Sequence, residues 1–155
     1  MKTKYQQPFE NAQIFKDSRD ILLIVQQITA KMNKAYKFTC GVKTLDATVD
    51  LSVLIAEAYS EKTLQRRYSL ICNILTVVRK VLILLRTIDS LHLSSQELYK
   101  QAIELCVNII KQAQAWKTST VSALSQNQNV NYQEISEFDS QRERSERAVI
   151  SDVSR

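Results

Sequence analysis

The sequence predicts an all-α protein. One observation is the near absence of turn residues: Gly41 and Pro8 are the only glycine and proline in 155 residues. Sheet-containing folds need such residues at many corners. The other is periodicity: four segments repeat apolar residues at helical spacing, and a polar tail comes after them. The length suits one domain with its own core. Residues 1–10 read as an N-terminal extension, 11–124 as the helical body and 125–155 as the tail.

The first helix is expected from about Asn11 to Lys34. Phe15, Leu22, Val25 and Met32 form one stripe, with Ile14, Ile21 and Ile28 beside it, while Asp17, Arg19 and Asp20 face out. The stretch "NKAYKFTCG" (33–41) breaks the pattern. The second helix runs from about Val42 to Tyr59. Leu45, Val49, Val53, Ala56 and Tyr59 set its face, widened by Leu51, Leu54 and Ile55.

The third helix runs from about Glu61 to Leu91, with Ser60 as its expected N-cap. It carries two interleaved heptad stripes. Leu64, Tyr68, Ile71, Leu75, Val78, Leu82 and Leu85 make one. Leu70, Ile74, Val77, Val81, Leu84, Ile88 and Leu91 make the other. Two stripes side by side mean cover on more than one side, either by bundle core alone or by core plus a subunit interface. The fourth helix starts at "SSQE", where Ser94 and Glu97 read as a capping box. Its stripe is Leu98, Ala102, Leu105, Ile109, Ala113 and Trp116, and the periodicity fades after about Leu124. The polar tail is expected to be disordered, the competing reading being a short helix that forms on binding a partner.

Charge is unevenly spread. Residues 1–124 hold 17 Lys/Arg against 10 Asp/Glu, and residues 125–155 hold 4 against 6. A basic body points to a polyanion such as nucleic acid or an anionic membrane, or simply to a soluble protein that is basic. The sharpest local signal is "VVRKVLILLRTIDSL" (77–91). Arg79 and Arg86 lie on nearly one line with Lys80 beside them, and Asp89 is the only acid after Glu61 in the helix. Arg66 and Arg67 precede them, Lys100, Lys111 and Lys117 come later on the fourth helix, and Lys34, Lys37 and Lys43 flank the second. Snorkelling to water accounts for one or two of these cations. It does not account for the missing acids, since surface helices gain from pairing unlike charges. Phosphate binding through such a stripe is salt-sensitive and largely independent of sequence. No aromatic platform interleaves with the basic residues to read bases. An anionic membrane is the runner-up partner for this face.

Enzyme chemistry finds little to work with. The lone His92 sits at a helix end, where it would act on the helix dipole. No Ser or Cys has a His and an orienting acid nearby, and a phosphate-binding loop needs several glycines. Asp46 and Asp50 share a helix face but lack the Glu-x-x-His partner of bundle metal sites. No catalytic residue, metal, cofactor or small-molecule substrate is expected. The scattered Cys40, Cys72 and Cys106 argue against disulfides and fit a reducing cytoplasm. "MKTKYQQPFENAQ" has no apolar signal region, and charges interrupt the apolar runs before a membrane span's length.

Three stretches resemble the accessory variability determinants of diversity-generating retroelements. This group belongs to a four-helix bundle family that includes proteins encoded in intervening sequences of 23S ribosomal RNA genes. "YKFTCGVKTLDATVDLSVLIAEAY" (36–59) is similar to the family's basic-aromatic connection, glycine and apolar helix. "VLILLRTIDSLHLSSQELY" (81–99) is similar to its Leu/Arg-rich third helix, short turn and Ser-started fourth helix. "QAQAWKTS" (112–119) carries a Trp with a basic residue after it. The resemblance covers about Phe15 to Thr120. It implies an up-and-down antiparallel four-helix bundle that assembles as a homopentameric barrel with a basic surface. It also implies a non-catalytic partner of the element's reverse transcriptase, which binds template RNA and cDNA in mutagenic retrohoming. The family's basic residue in the third helix falls on Arg86, with Arg79 a looser match, and its Trp falls on Trp116. Ala113 and Ala115 stand where the family often has glycines, and the tail from Ser125 lies beyond the resemblance. Two other readings remain: a bundle of the intervening-sequence type, and a structural scaffold that binds a protein through its tail.

Overall fold

The computed structural model describes residues 6–153, and it is all-helical over that range. The first half of the expected N-terminal extension, residues 1–5, lies outside the described residues. A 3-10 turn, Pro8–Asn11, opens the fold, with Pro8 in its first turn, where a missing N–H costs nothing. Phe9 closes on Phe15 edge-to-face, 4.9 Å between ring centroids.

Helix α1 spans Gln13–Ala30. Its inner face is centred on Ile21, Val25 and Ile28, which are fully buried, with Phe15 and Leu22 on the flank. Arg19 and Asp20 face out as expected. Asp17 does not: it is 6% exposed. The reason lies across the molecule, where Gln112 donates to Asp17 Oδ2 at 2.6 Å, while Gln13 donates to Oδ1 at 2.7 Å.

The expected break at 33–41 is helical. Asn33 accepts the Tyr36 N–H, opening the short α2, Lys34–Tyr36, and a π-helical turn, Lys37–Gly41, leads straight into α3, Val42–Ser60. Gly41 has ordinary right-handed dihedrals. What it provides is proximity, because a Cβ there would stand 2.9 Å from Thr29 Cγ2 and 3.0 Å from Met32 Sδ of the α1 end.

α3 turns a different face inward from the one its large residues suggest. Thr44, Ala47, Thr48, Leu51, Ile55 and Ala58 are buried, while Val49 and Val53 are 43% and 49% exposed. The inner residues are mostly small, which lets helices approach closely. The threonine hydroxyls are satisfied locally: Thr44 donates to the Cys40 carbonyl and Thr48 to that of Leu45, each at 2.7 Å. Ser18 of α1 and Ser52 of α3 meet at 3.0 Å between hydroxyls.

Ser60 ends α3, its hydroxyl bonded back to the Ala56 carbonyl, so it does not cap the next helix. α4 spans Leu64–Ser90, with Thr63 at its N-cap position. Its seam combines members of both expected stripes: Ile71, Ile74, Leu75, Val78, Val81, Leu85 and Ile88 are buried. Leu70, Val77 and Leu84 are left half-buried along one flank.

The turn after α4 uses the left-handed region at His92, φ 53°. The Leu93 N–H reaches the Ile88 carbonyl and the His92 N–H that of Asp89. This is a Schellman ending with histidine where glycine is usual. The next helix is capped one residue later than expected, since Ser95 Oγ, rather than Ser94, accepts the Leu98 N–H. α5 spans Gln96–Val153.

The chain divides into two compact units at Thr120/Val121. In the first, Ala102, Cys106, Ile109 and Ala113 of α5 join α1, α3 and α4 in one hydrophobic core. The second is helical through Val153, where the sequence reads as a disordered tail. Neither glycine nor proline occurs after Gly41 to stop a helix. Its described side chains beyond Leu124 are exposed.

Candidate nucleic-acid interface

The solvent side of α4 is set by its seam. With Ile71, Val78 and Leu85 inward, the residues one position on point about 100° away. Those beside Val78 and Leu85 are Arg79 and Arg86, both exposed, and Lys80 is exposed on a neighbouring line. Ile83 lies between the lines at 64% exposure, among Asn73, Thr76 and Thr87. From Ser69 to Ser90 the exposed residues of α4 include three cations and no acid, since Asp89 is half-buried and accepts from Gln96 at 2.7 Å. Among the described residues Arg79, Lys80 and Arg86 form no ion pair.

Arg66 lies on the same line of α4 as Lys80, and the other candidate basic residues are spread over α3, α4, α5 and the π turn. Arg66 is exposed but stands 3.5 Å from Glu61. Arg67 is half-buried and donates through Nε and Nη2 to the Glu61 carbonyl, at the end of α3. The Thr63 N–H, with Arg66 beside it, holds the Glu61 carboxyl below the usual carboxylate range. Together these groups brace the α3–α4 corner, where a groove of about 520 Å³ is lined by Glu57, Ser60, Glu61, Gln65 and Arg66. Lys117 of α5 is half-buried, its Nζ 5.6 Å from the centre of the Tyr68 ring. Lys37 is half-buried in the π turn, while Lys43 and Lys111 lie on α3 and α5, both exposed.

A second constellation leaves no motif in the sequence. Tyr59 and Trp116 meet edge-to-face at 6.3 Å, beside an open groove of about 280 Å³ whose wall also includes Gln13, Ile14 and Gln112. Both glutamines are held by the buried Asp17. Only their alignment on three helices reveals the group. The sequence places Asp17 facing out, and its burial in the fold marks the group.

Among the described residues no three His, Cys, Asp or Glu side chains stand close enough to hold a metal ion. Burial pushes the Cys106 thiol up to about 12, away from thiolate chemistry. α4 reaches a mean hydropathy of 1.8 over 18 residues. That is long and apolar enough to cross a membrane by length and composition, although Arg79, Lys80 and Arg86 interrupt its apolar run as the sequence indicates. A core helix passes the same test, and the α4 seam packs into the core. No protein-family model matches the sequence, and no curated protein does.

Proposed function

We propose that this chain is a non-catalytic accessory subunit that binds nucleic acid, of the accessory variability determinant kind. It would bind template RNA and cDNA and support a reverse transcriptase in mutagenic cDNA synthesis. The carrying observation is the solvent face of α4, where Arg79, Lys80 and Arg86 stand exposed with no acid among them. A single-sign face repels itself, and phosphates relieve the repulsion while releasing counterions.

The proposed body is an up-and-down antiparallel four-helix bundle. In support, Gln96 of α5 meets Asp89 near the end of α4, and Lys117 meets Tyr68 near its start. α5 therefore runs back along α4. Gln112 meets Asp17, near the start of α1, and a groove pairs Leu23 and Ile24 with Gln101 and Leu105, so α5 opposes α1 as well. The short Glu61–Thr63 link returns α4 along α3.

The proposed assembly is a homopentameric barrel. Its support within the chain is the flank of α4, where Leu70, Val77 and Leu84 recur every seven residues half-covered and Leu91 continues the line 43% exposed. A neighbouring copy would complete that cover.

The test is the charge-reversed pair Arg79→Glu and Arg86→Glu in a reconstituted reaction with reverse transcriptase and template RNA. Loss of cDNA with an unchanged mass by light scattering is expected. Full cDNA yield from the variant refutes the role of this face. A mass of one chain in high salt after nuclease treatment refutes the barrel.

A further inference from the structure

We infer that the groove beside Tyr59 and Trp116 is a binding site for a guanidinium group. Asp17 is 6% exposed, carries a carboxylate, and meets no Lys, Arg or His within ion-pair distance among the described residues. Buried charges are ordinarily paired, and amide donors offset only part of the cost of burial. The chain is basic and has cations to spare, yet none is placed here.

The surroundings of Asp17 match a planar cation. An ionised carboxylate only accepts hydrogen bonds, so the Gln13 and Gln112 amides must turn their NH2 groups to it. The second Gln112 hydrogen goes to the Asn108 carbonyl at 3.2 Å. Both Oε1 atoms are thereby left as acceptors, and both glutamines line the groove. The Tyr59 and Trp116 rings stand on the same wall, 61° apart in plane. Two amide oxygens and an aromatic face are what a guanidinium fork binds and stacks on, and the Asp17 charge favours a cation over a neutral group. The groove, about 280 Å³ and open to solvent, is large enough for one side chain. The ligand is therefore a guanidinium, carried either by a small molecule or by an arginine of a protein partner. In this site Asp17 is a positioning residue, since the amide oxygens and rings make the contact.

Trp116 is the only tryptophan of the chain, so its fluorescence reports on the site directly. The full chain is titrated with N-acetyl-arginine amide, with a Gly-Arg-Gly peptide, and with the uncharged citrulline amide. A saturable change with an arginine probe and none with citrulline is expected. A response to the amide alone assigns a small ligand, and a response to the peptide assigns a protein partner. Asp17→Asn, nearly the same size, should weaken binding by about tenfold or more. The proposal is overturned by no saturable response to either arginine probe on the unaltered chain. An equal response to citrulline, or unchanged affinity in a folded Asp17→Asn variant, overturns it as well.

Discussion

The face of α4 makes a quantitative prediction about salt. Each phosphate contact on a single strand contributes about 0.7 to the slope of log affinity against log salt. Arg79 and Arg86 are both exposed and form no ion pair among the described residues, so each is available for one phosphate. Replacing both with glutamine should lower the slope by about 1.4 for each chain in contact with RNA. Between about 50 and 200 mM salt, the unaltered protein then loses about sevenfold more affinity than the variant. Stability should move by less than about 0.5 kcal/mol, because neither side chain holds a structural partner among the described residues. Fluorescence anisotropy with labelled single-stranded RNA across a potassium chloride series measures the slope, and thermal melting measures stability. Equal slopes for the two proteins refute the phosphate contacts. The same substitution at Arg67 would not be informative, since that side chain ties the end of α3 to α4.

Three further outcomes test the structure. Ile74→Ala, at a fully buried seam position, should cost about 2–5 kcal/mol, whereas Ile83→Ala should cost less than about 0.5 kcal/mol. Chemical denaturation checks both, and the reverse order means that α4 is rotated. His92→Gly should raise stability by about 1 kcal/mol, because the left-handed conformation there strains any residue with a Cβ. A loss on melting contradicts that geometry. The Cys106 thiol sits near 12 in the folded chain against an ordinary 9.0, so the unfolded state loses its proton first as pH rises. Stability should therefore fall between pH 9.0 and about 12, and Cys106→Ala should flatten that part of the profile. An unchanged slope in equilibrium unfolding refutes the burial of the thiol.

The all-helical class was legible because scarce glycine and proline leave few ways to build corners, and the α4 boundaries were legible from its dense heptads. Which face turns inward was legible only where large residues line it. α1 and α4 bury isoleucine, valine and leucine, and their seams lie within a residue or two of the expected stripes. α3 buries threonine and alanine, which carry little hydrophobic signal, so its exposed valines misled the pattern. The cap at Ser94 slipped by one because Ser95 offers an equivalent hydroxyl, and Ser60 caps nothing because its hydroxyl bonds back to the Ala56 carbonyl. The cations of α4 could be read directly, since a helical period alone sets which of them share a line. Arg67 could not, because its partner is a carbonyl exposed only by the end of another helix. Asp17 was likewise hidden: polarity sends it to solvent, and what keeps it inside stands 95 positions away.

That separation has a kinetic consequence. α3 meets α1 and α4, its neighbours along the chain, and the joints Glu61–Thr63 and Leu91–Ser95 are short. Folds dominated by such local contacts form in about microseconds to milliseconds. The pairing of α1 with α5 is the exception, since it closes nearly the whole body of the chain and carries the largest loop-closure entropy. The Asp17–Gln112 bond belongs to that closure, which predicts that it forms late, after α3 and α4 have docked. Substitutions at Gln112 should speed unfolding and leave the folding rate almost untouched.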